Sequence, residues 1–317
     1  MSYSNRIFIY GPVGLLLLIV ILYSVYWRVE ADTLSARLDR ANGGEVIPGL
    51  VFAFAEKSIG GFPFRLDVVL SGVSFAYRSG DGETGWRTDK LAIHTLSYGR
   101  DRYIFEVTGL QSFIRPPIAP GMPPRAILVT PALARASAIV RDGSLARFDL
   151  DLWGPQEKDA TESADPQRTI TAERAQLHLL SRADKAIDVA MKIDNLRIGA
   201  GYASSESVLP LIDLRAQLTQ SEILNAPQGG AVNIVDALET WRTQMGRLIV
   251  TDLSLNWPNS HADLKGDLTL DSNDYLAGTL SGMGAAKGQT PGEVRLSFAN
   301  GGMQLAGDST APAAAVP

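Results

Sequence analysis

Residues 7–27 (IFIYGPVGLLLLIVILYSVYW) run without one charged side chain. At a helical rise of ~1.5 Å per residue the stretch covers about 30 Å, the thickness of a bilayer's hydrocarbon core. Nothing comparable follows it, so the pattern predicts a single membrane-spanning helix. Pro12 falls in the first turn or two, where a missing hydrogen bond costs little. Tyr23, Tyr26 and Trp27 close the run with residues that favour the membrane interface. The competing reading is a cleaved secretory signal, whose apolar core typically holds ~7–15 residues before a small-residue cleavage site. This run is longer, and Val29-Glu30-Ala31 makes a poor site. A retained anchor is therefore the expectation.

Residues 28–42 continue the helical pattern, but Val29, Leu34 and Leu38 give only a sparse apolar stripe. Asn42-Gly43-Gly44 then stops it. The expectation is a solvated stalk over residues 28–47. From Pro48 the period changes to two. Ile187, Val189, Met191 and Ile193 alternate with polar neighbours. So do Ile212, Leu214, Ala216 and Leu218, and Ala262, Leu264, Gly266, Leu268 and Leu270. Such alternation predicts strands with one buried and one wet face. Weaker versions cover 64–78, 88–98, 103–114, 126–140, 145–153, 170–180, 248–257, 275–280 and 293–298. In 64–78 the apolar phase moves from even positions (Leu66, Val68, Leu70) to odd ones (Val73, Phe75, Tyr77). Ser71-Gly72 sits at the slip, which predicts a bulge in a strongly curled sheet. Short turns such as Ser79-Gly80-Asp81-Gly82, Gly99-Arg100-Asp101, Asp142-Gly143 and Ser272-Asn273-Asp274 separate the segments. The sum is about a dozen strands in an antiparallel meander. One internal helix is expected, with Ile234, Leu238, Trp241 and Met245 on one stripe and Gly246 as its stop, serving as a lid over the sheet.

Residues 154–168 read as a poorly ordered polar stretch, the proline-rich 116–124 as a rigid surface loop, and 308–317 as a disordered tail. The organisation expected is a tail (1–6), an anchor (7–27), a stalk (28–47) and a β-domain (48–307), with a subdivision near 154–168 left open. About 290 residues beyond the anchor suffice for a sizeable core. The formal net charge of −5 gives no support to nucleic-acid binding. The absence of cysteine excludes disulfides, thiol catalysis and thiolate metal sites.

The residues offer no catalytic, cofactor or metal constellation. His94, His178 and His261 each stand alone in a strand, with no second ligand at metal spacing. Asp188, Asp194, Asp263 and Asp267 occupy wet strand faces, where charge is ordinary. The glycine-rich stretch 282–288 lacks the spacing and the following helix of a phosphate loop, and reads as a strand connection. Gly61, Phe62, Pro63, Phe64 and Arg65 stand out. Two aromatics bracket a proline at the entrance to the first long strand, as a hydrophobic corner plug would.

This Gly-Phe-Pro-Phe-Arg segment behind an N-terminal anchor resembles the proteobacterial family known as domain of unknown function 2125. The stretch 253–271, with Trp257-Pro258 before a Gly266-centred hairpin, is similar to that family's closing strands. The resemblance implies a mainly β protein anchored in the inner membrane, with its large domain in the periplasm. It supplies no catalytic residues. At fold level the layout also resembles the AsmA-type envelope proteins. Charge alone leaves the orientation open, because Arg28 and Arg37 follow the span while Arg6 precedes it. The functional expectation is a non-enzymatic envelope protein whose curled sheet holds lipid or another hydrophobic ligand. The alternative is a scaffold that binds an envelope protein partner through a sheet edge or the loop at 116–124.

Overall fold

The computed structural model describes residues 4–79, 82–99, 101–115, 125–159, 169–201, 207–223, 234–273 and 275–307. The segment 116–124, most of 154–168 and the tail after 307 lie outside the described residues. One helix, α1 (Ser4–Ala41), carries the apolar run and the stalk without a break. From Tyr10 it is long and apolar enough to cross a membrane, and its apolar part is almost wholly unburied.

All the described strands join one antiparallel sheet, nineteen in number. β1 (Gly44–Ile47) pairs with β2 (Leu50–Ala53), and β2 and β3 (Glu56–Gly60) lie end to end along β4 (Arg65–Ser79). β5 (Gly82–Leu96) and β6 (Arg102–Arg115) follow. β7 (Arg125–Thr130) and β8 (Leu133–Arg141) again lie end to end, on β6. β9 (Ser144–Trp153) continues from β8 and β10 (Gln156–Asp159) from β7. β11 (Thr169–Thr171) and β12 (Arg174–Ser181) then carry the sheet to β13 (Ile187–Ile198). The meander closes through β14 (Ser207–Leu218), β15 (Leu248–Trp257), β16 (Ser260–Leu270), β17 (Leu276–Ala286), β18 (Gly292–Ala299) and β19 (Gly302–Gly307). Between β14 and β15 lie a 3₁₀ turn (Ser221–Ile223) and a second helix, α2 (Ile234–Thr243).

The alternating pattern thus gives the expected meander, but with more strands than the dozen it suggested. Several expected segments prove to be broken or bulged, and from β2 to β13 the breaks fall on one line across the sheet. Ala55, between β2 and β3, donates its N–H to Ser71 O (2.8 Å). Next along the line come Gly72 in β4, at φ 60°, and Asp89 in β5, where the register shifts. The Asp89 carboxylate accepts the Leu110 N–H of β6 (3.0 Å), beside Gly109. Ala132, between β7 and β8, donates to Trp153 O, and Gly154, after β9, to Glu173 O (both 2.8 Å). Glu173 in turn donates to Asp194 O of β13 (3.0 Å), beside Asn195 at φ 52°. Each irregularity adds local twist, and a row of them bends the sheet along a seam. In β4 the slip keeps one face apolar, since Leu66, Val68, Leu70 and Val73 are all buried.

Two cores result. In the first, Phe52, Phe54, Val68, Leu70, Val73 and Leu91 form a buried cluster, and Leu34, Leu38 and Ala41 of α1 pack against it. The stalk is therefore not solvated on all sides: it covers the first strands of the sheet. The sparse stripe suffices because only one narrow face of the helix meets the sheet. Polar contacts fasten it. Lys57 Nζ donates to Ser35 O (2.7 Å) and pairs with Asp39 (2.6 Å). The Asn42 side chain bonds both the N–H and the C=O of Phe54 (2.9 and 3.1 Å), as a neighbouring strand would.

The second core joins Val250, Leu253, Leu264, Leu268, Leu280, Val294 and Leu296. β13 to β19 curl around it. Register shifts in β14 and β15, and Gly266 and Gly278 at φ 152° and 137°, tighten the curl. The glycine-rich stretch at 282–288 is not mainly a connection. Gly282 and Gly284 lie within β17, where a Cβ on Gly282 would collide with the Asp263 carbonyl.

α2 sits at the β14–β15 end of the curl. Trp241 is buried and donates its indole N–H to Thr219 O (2.6 Å). Met245 does not share that stripe. The helix stops at Thr243, and Met245 follows at φ 59° with 76% of its surface exposed. Residues 154–168 are not wholly irregular either, since β10 begins within them and pairs with β7 and β11.

Candidate functional site

The curl of β13 to β19 encloses an apolar trough of about 360 Å³. Leu214, Leu255, Leu280, Phe298 and Leu305 are among the side chains that line it, with Met191 of β13 and Met303 of β19. Among the described lining residues, Ser207 alone lacks a hydrophobic side chain. The volume lies at the low end of the ~300–1,000 Å³ usual for ligand sites. Such a lining offers a polar ligand little beyond the Ser207 hydroxyl and the Trp257 indole N–H. It suits an aliphatic or aromatic body held by dispersion and by release of water. The alternating apolar residues of these strands are visible in the sequence. That β13 and β19 line one trough is not, because it follows from accumulated twist.

A second cluster lies where the apolar run of α1 meets the sheet. Tyr23 OH donates to Pro63 O (2.8 Å) and lies 2.8 Å from Ser97 Oγ. Tyr26 OH donates to Ser97 O (3.0 Å), and Trp27 Nε1 to Arg65 O (2.8 Å). The Trp27 ring meets Phe62 edge-on at 5.5 Å, and Tyr23 lies 6.2 Å from Phe64. The two residue groups singled out from the sequence, Tyr23/Tyr26/Trp27 and Gly61 to Arg65, thus touch. The Phe62-Pro63 peptide is cis. Phe62 and Phe64 do not plug into the protein, however: they remain 52% and 62% exposed. Ser97, buried at the hub, and Tyr98 beside it carried no signal beyond a lone aromatic before a turn.

The wet face carries charge ladders. Asp149 accepts from Arg147 Nε and lies 2.7 Å from His178 Nδ1. Burial pushes the Asp149 carboxyl up, but the hydrogen bonds and charges of Arg147 and His178 outweigh it and hold it below the ordinary range. Hydrogen bonds from Arg174 chiefly lower Asp151, against some burial, and Arg174 also stacks over Trp153 at 4.3 Å. Arg147, Arg174 and Arg182 are raised in turn by Asp149, Asp151 and Asp184. An open depression of about 540 Å³ lies among Arg147, His178, Arg182, Asp188 and Arg215. His94 pairs with Asp67 (2.7 Å). His261 lies on β16 with an exposed side chain. Among the described residues no three His, Asp or Glu side chains gather as metal ligands would. The acids at Asp188, Asp194 and Asp267 serve ion pairs with Arg182, Lys192 and Arg247, and Asp263 accepts from Ser254.

Together these features define a class: a long antiparallel meander, carried by a helix of membrane-spanning length, with an apolar trough in its curl. The chain belongs to the bacterial family described as "Uncharacterized protein conserved in bacteria (DUF2125)", which matches residues 27–287. The match takes in the stalk, the corner and the sheet as far as the end of β17. No curated protein and no solved structure matches the chain.

Proposed function

We propose that this protein is a non-enzymatic, single-pass component of the bacterial inner membrane whose periplasmic sheet shelters the aliphatic part of a lipid in the β13–β19 trough. The observation that carries this reading is the trough's lining: a cavity of about 360 Å³ with Ser207 as its one polar side chain among the described residues. Support for the anchor comes from the length of α1 and the almost complete exposure of its apolar part. An exposed apolar helix surface of this extent needs a non-aqueous environment. The wet-face clusters support binding chemistry less well, because their acids and cations satisfy one another.

The test is to purify the full chain from membranes and to quantify bound lipid by extraction and mass spectrometry. Leu255→Trp, which fills the trough, is the comparison. The reading expects a defined lipid in wild type that falls several-fold in the variant. Equal lipid in both, or none in either, overturns it.

A further inference from the structure

We infer that the corner between β3 and β4 and the turn after β5 enter the interface of the bilayer that α1 crosses, with Phe62, Phe64 and Tyr98 as the inserting side chains. The inference rests on the reading of α1 as a retained span.

Three observations carry it. First, the three rings are large, apolar and 52%, 62% and 61% exposed, and the Ser97 N–H bond to Phe64 O (3.0 Å) joins the turn that carries Tyr98 to the corner that carries Phe62 and Phe64. Exposed aromatics gathered at one place mark a surface that meets something. Second, their height is fixed. Tyr23, Tyr26 and Trp27 end the apolar run, and their hydrogen bonds to Pro63, Ser97 and Arg65 hold corner and turn level with that last turn of helix. One helical turn rises ~5.4 Å, so the aromatics can stand only a few ångströms from the end of the span. That is the depth at which interfacial aromatic rings sit. Third, the helix cannot swing the corner away. It is fastened again further up by Lys57 to Asp39 and Ser35, and by Asn42 to Phe54. The guanidinium groups of Arg28 and Arg65 are paired with Asp32 and Asp67. Insertion is therefore expected to need no anionic lipid. The sheet would thus stand on the membrane at a set tilt instead of hanging from a free tether.

The chain has no cysteine, so single-cysteine variants report cleanly. Full-length Val13→Cys, Phe64→Cys, Tyr98→Cys and Asn259→Cys would each carry an environment-sensitive fluorophore in phosphatidylcholine vesicles. Lipids with doxyl groups at shallow or deep acyl positions then serve as quenchers. The inference expects deep quenching at position 13. At positions 64 and 98 it expects shallow quenching at least threefold above that at position 259, in the β15–β16 turn. If position 13 is quenched but 64 and 98 match 259, the proposed collar of Phe62, Phe64 and Tyr98 is wrong while the span stands. Should quenching fail at position 13, the span itself is wrong and the collar falls with it. A protein partner on these rings would show as protection from aqueous quencher without any doxyl effect, and would also overturn the inference.

Discussion

The two halves of the sheet solve one problem in different ways. Both present an unbroken apolar face, because both are built from alternating strands. In β2 to β6 a separate element, α1, covers that face through Leu34, Leu38 and Ala41. In β13 to β19 the sheet covers itself by curling, and a space remains inside. A helix laid on a sheet can fill the contact completely. A sheet rolled on itself is held apart by its own backbone, with stacked faces ~10 Å apart, so a cavity can persist. Under the proposed function, the first half is the structural one and the second the one that takes up the ligand.

Truncating the centre of either core should give the largest effect. Leu70→Ala and Leu280→Ala are each expected to cost about 2–5 kcal/mol, as buried leucine truncations do. Denaturant melts followed by hydrogen exchange should place the first loss in β2–β6 and the second in β14–β18. Exchange that rises equally everywhere would break the comparison, since the halves would then unfold as one.

Leu34→Ala with Leu38→Ala tests the helix as a cover. Both leucines are partly buried, so together they should cost about 2–3 kcal/mol. Exchange should increase in β3 and β4 while β15 to β18 stay protected. A freely solvated stalk would show no change.

The seam comes next. Gly72 sits at φ 60°, and a Cβ there would lie 3.1 Å from that of Ala55. Gly72→Ala should cost about 1–2 kcal/mol through backbone strain. The same substitution at Gly60, where nothing approaches within 4 Å, should cost less.

Leu255→Trp is aimed at the contrast in packing. Filling the trough should change stability by about 1 kcal/mol or less, because a cavity takes up the added volume, whereas overpacking a filled core costs ~1–3 kcal/mol. Leu70→Trp, in the filled core, should be clearly destabilising by the same thermal melt.

Acid should act least, and at the join between the halves. Asp149 and Asp151 on β9 hold native pKa values below their ordinary 3.8. Their contribution is complete above that value and is lost as pH falls through the depressed native values. Melting temperature should therefore hold from pH 6 to 5 and drop below about pH 4. Asp149→Asn should flatten that drop.

Much of this was legible in the sequence. The anchor-length run, the alternating strands, the two-residue turn at Asp142-Gly143 and the slip at Ser71-Gly72 depend on neighbours in the chain, so local pattern reports them. The seam as a whole did not show, because Ala132, Gly154 and Asn195 become one line only after the strands are paired. The covering role of Leu34 and Leu38 was hidden for a similar reason: its partners lie on β2 to β6. Met245 misled because a period of 3.6 continued on paper beyond a helix that ends at Thr243. Tyr23 and Phe64 each drew notice alone, but only the fold joins them through Pro63 and Ser97.

The central claim is that the curled half, and not the helix-covered half, takes up an aliphatic chain. A phospholipid with a photoactivatable group at its acyl terminus, supplied to the full chain in membranes, tests it directly through mass mapping of the labelled peptides. The account predicts adducts on β14 to β18, around Leu214, Leu255 and Leu280, that disappear in Leu255→Trp, and none on β2 to β6. Labelling confined to α1, or spread equally over the two cores, would contradict it.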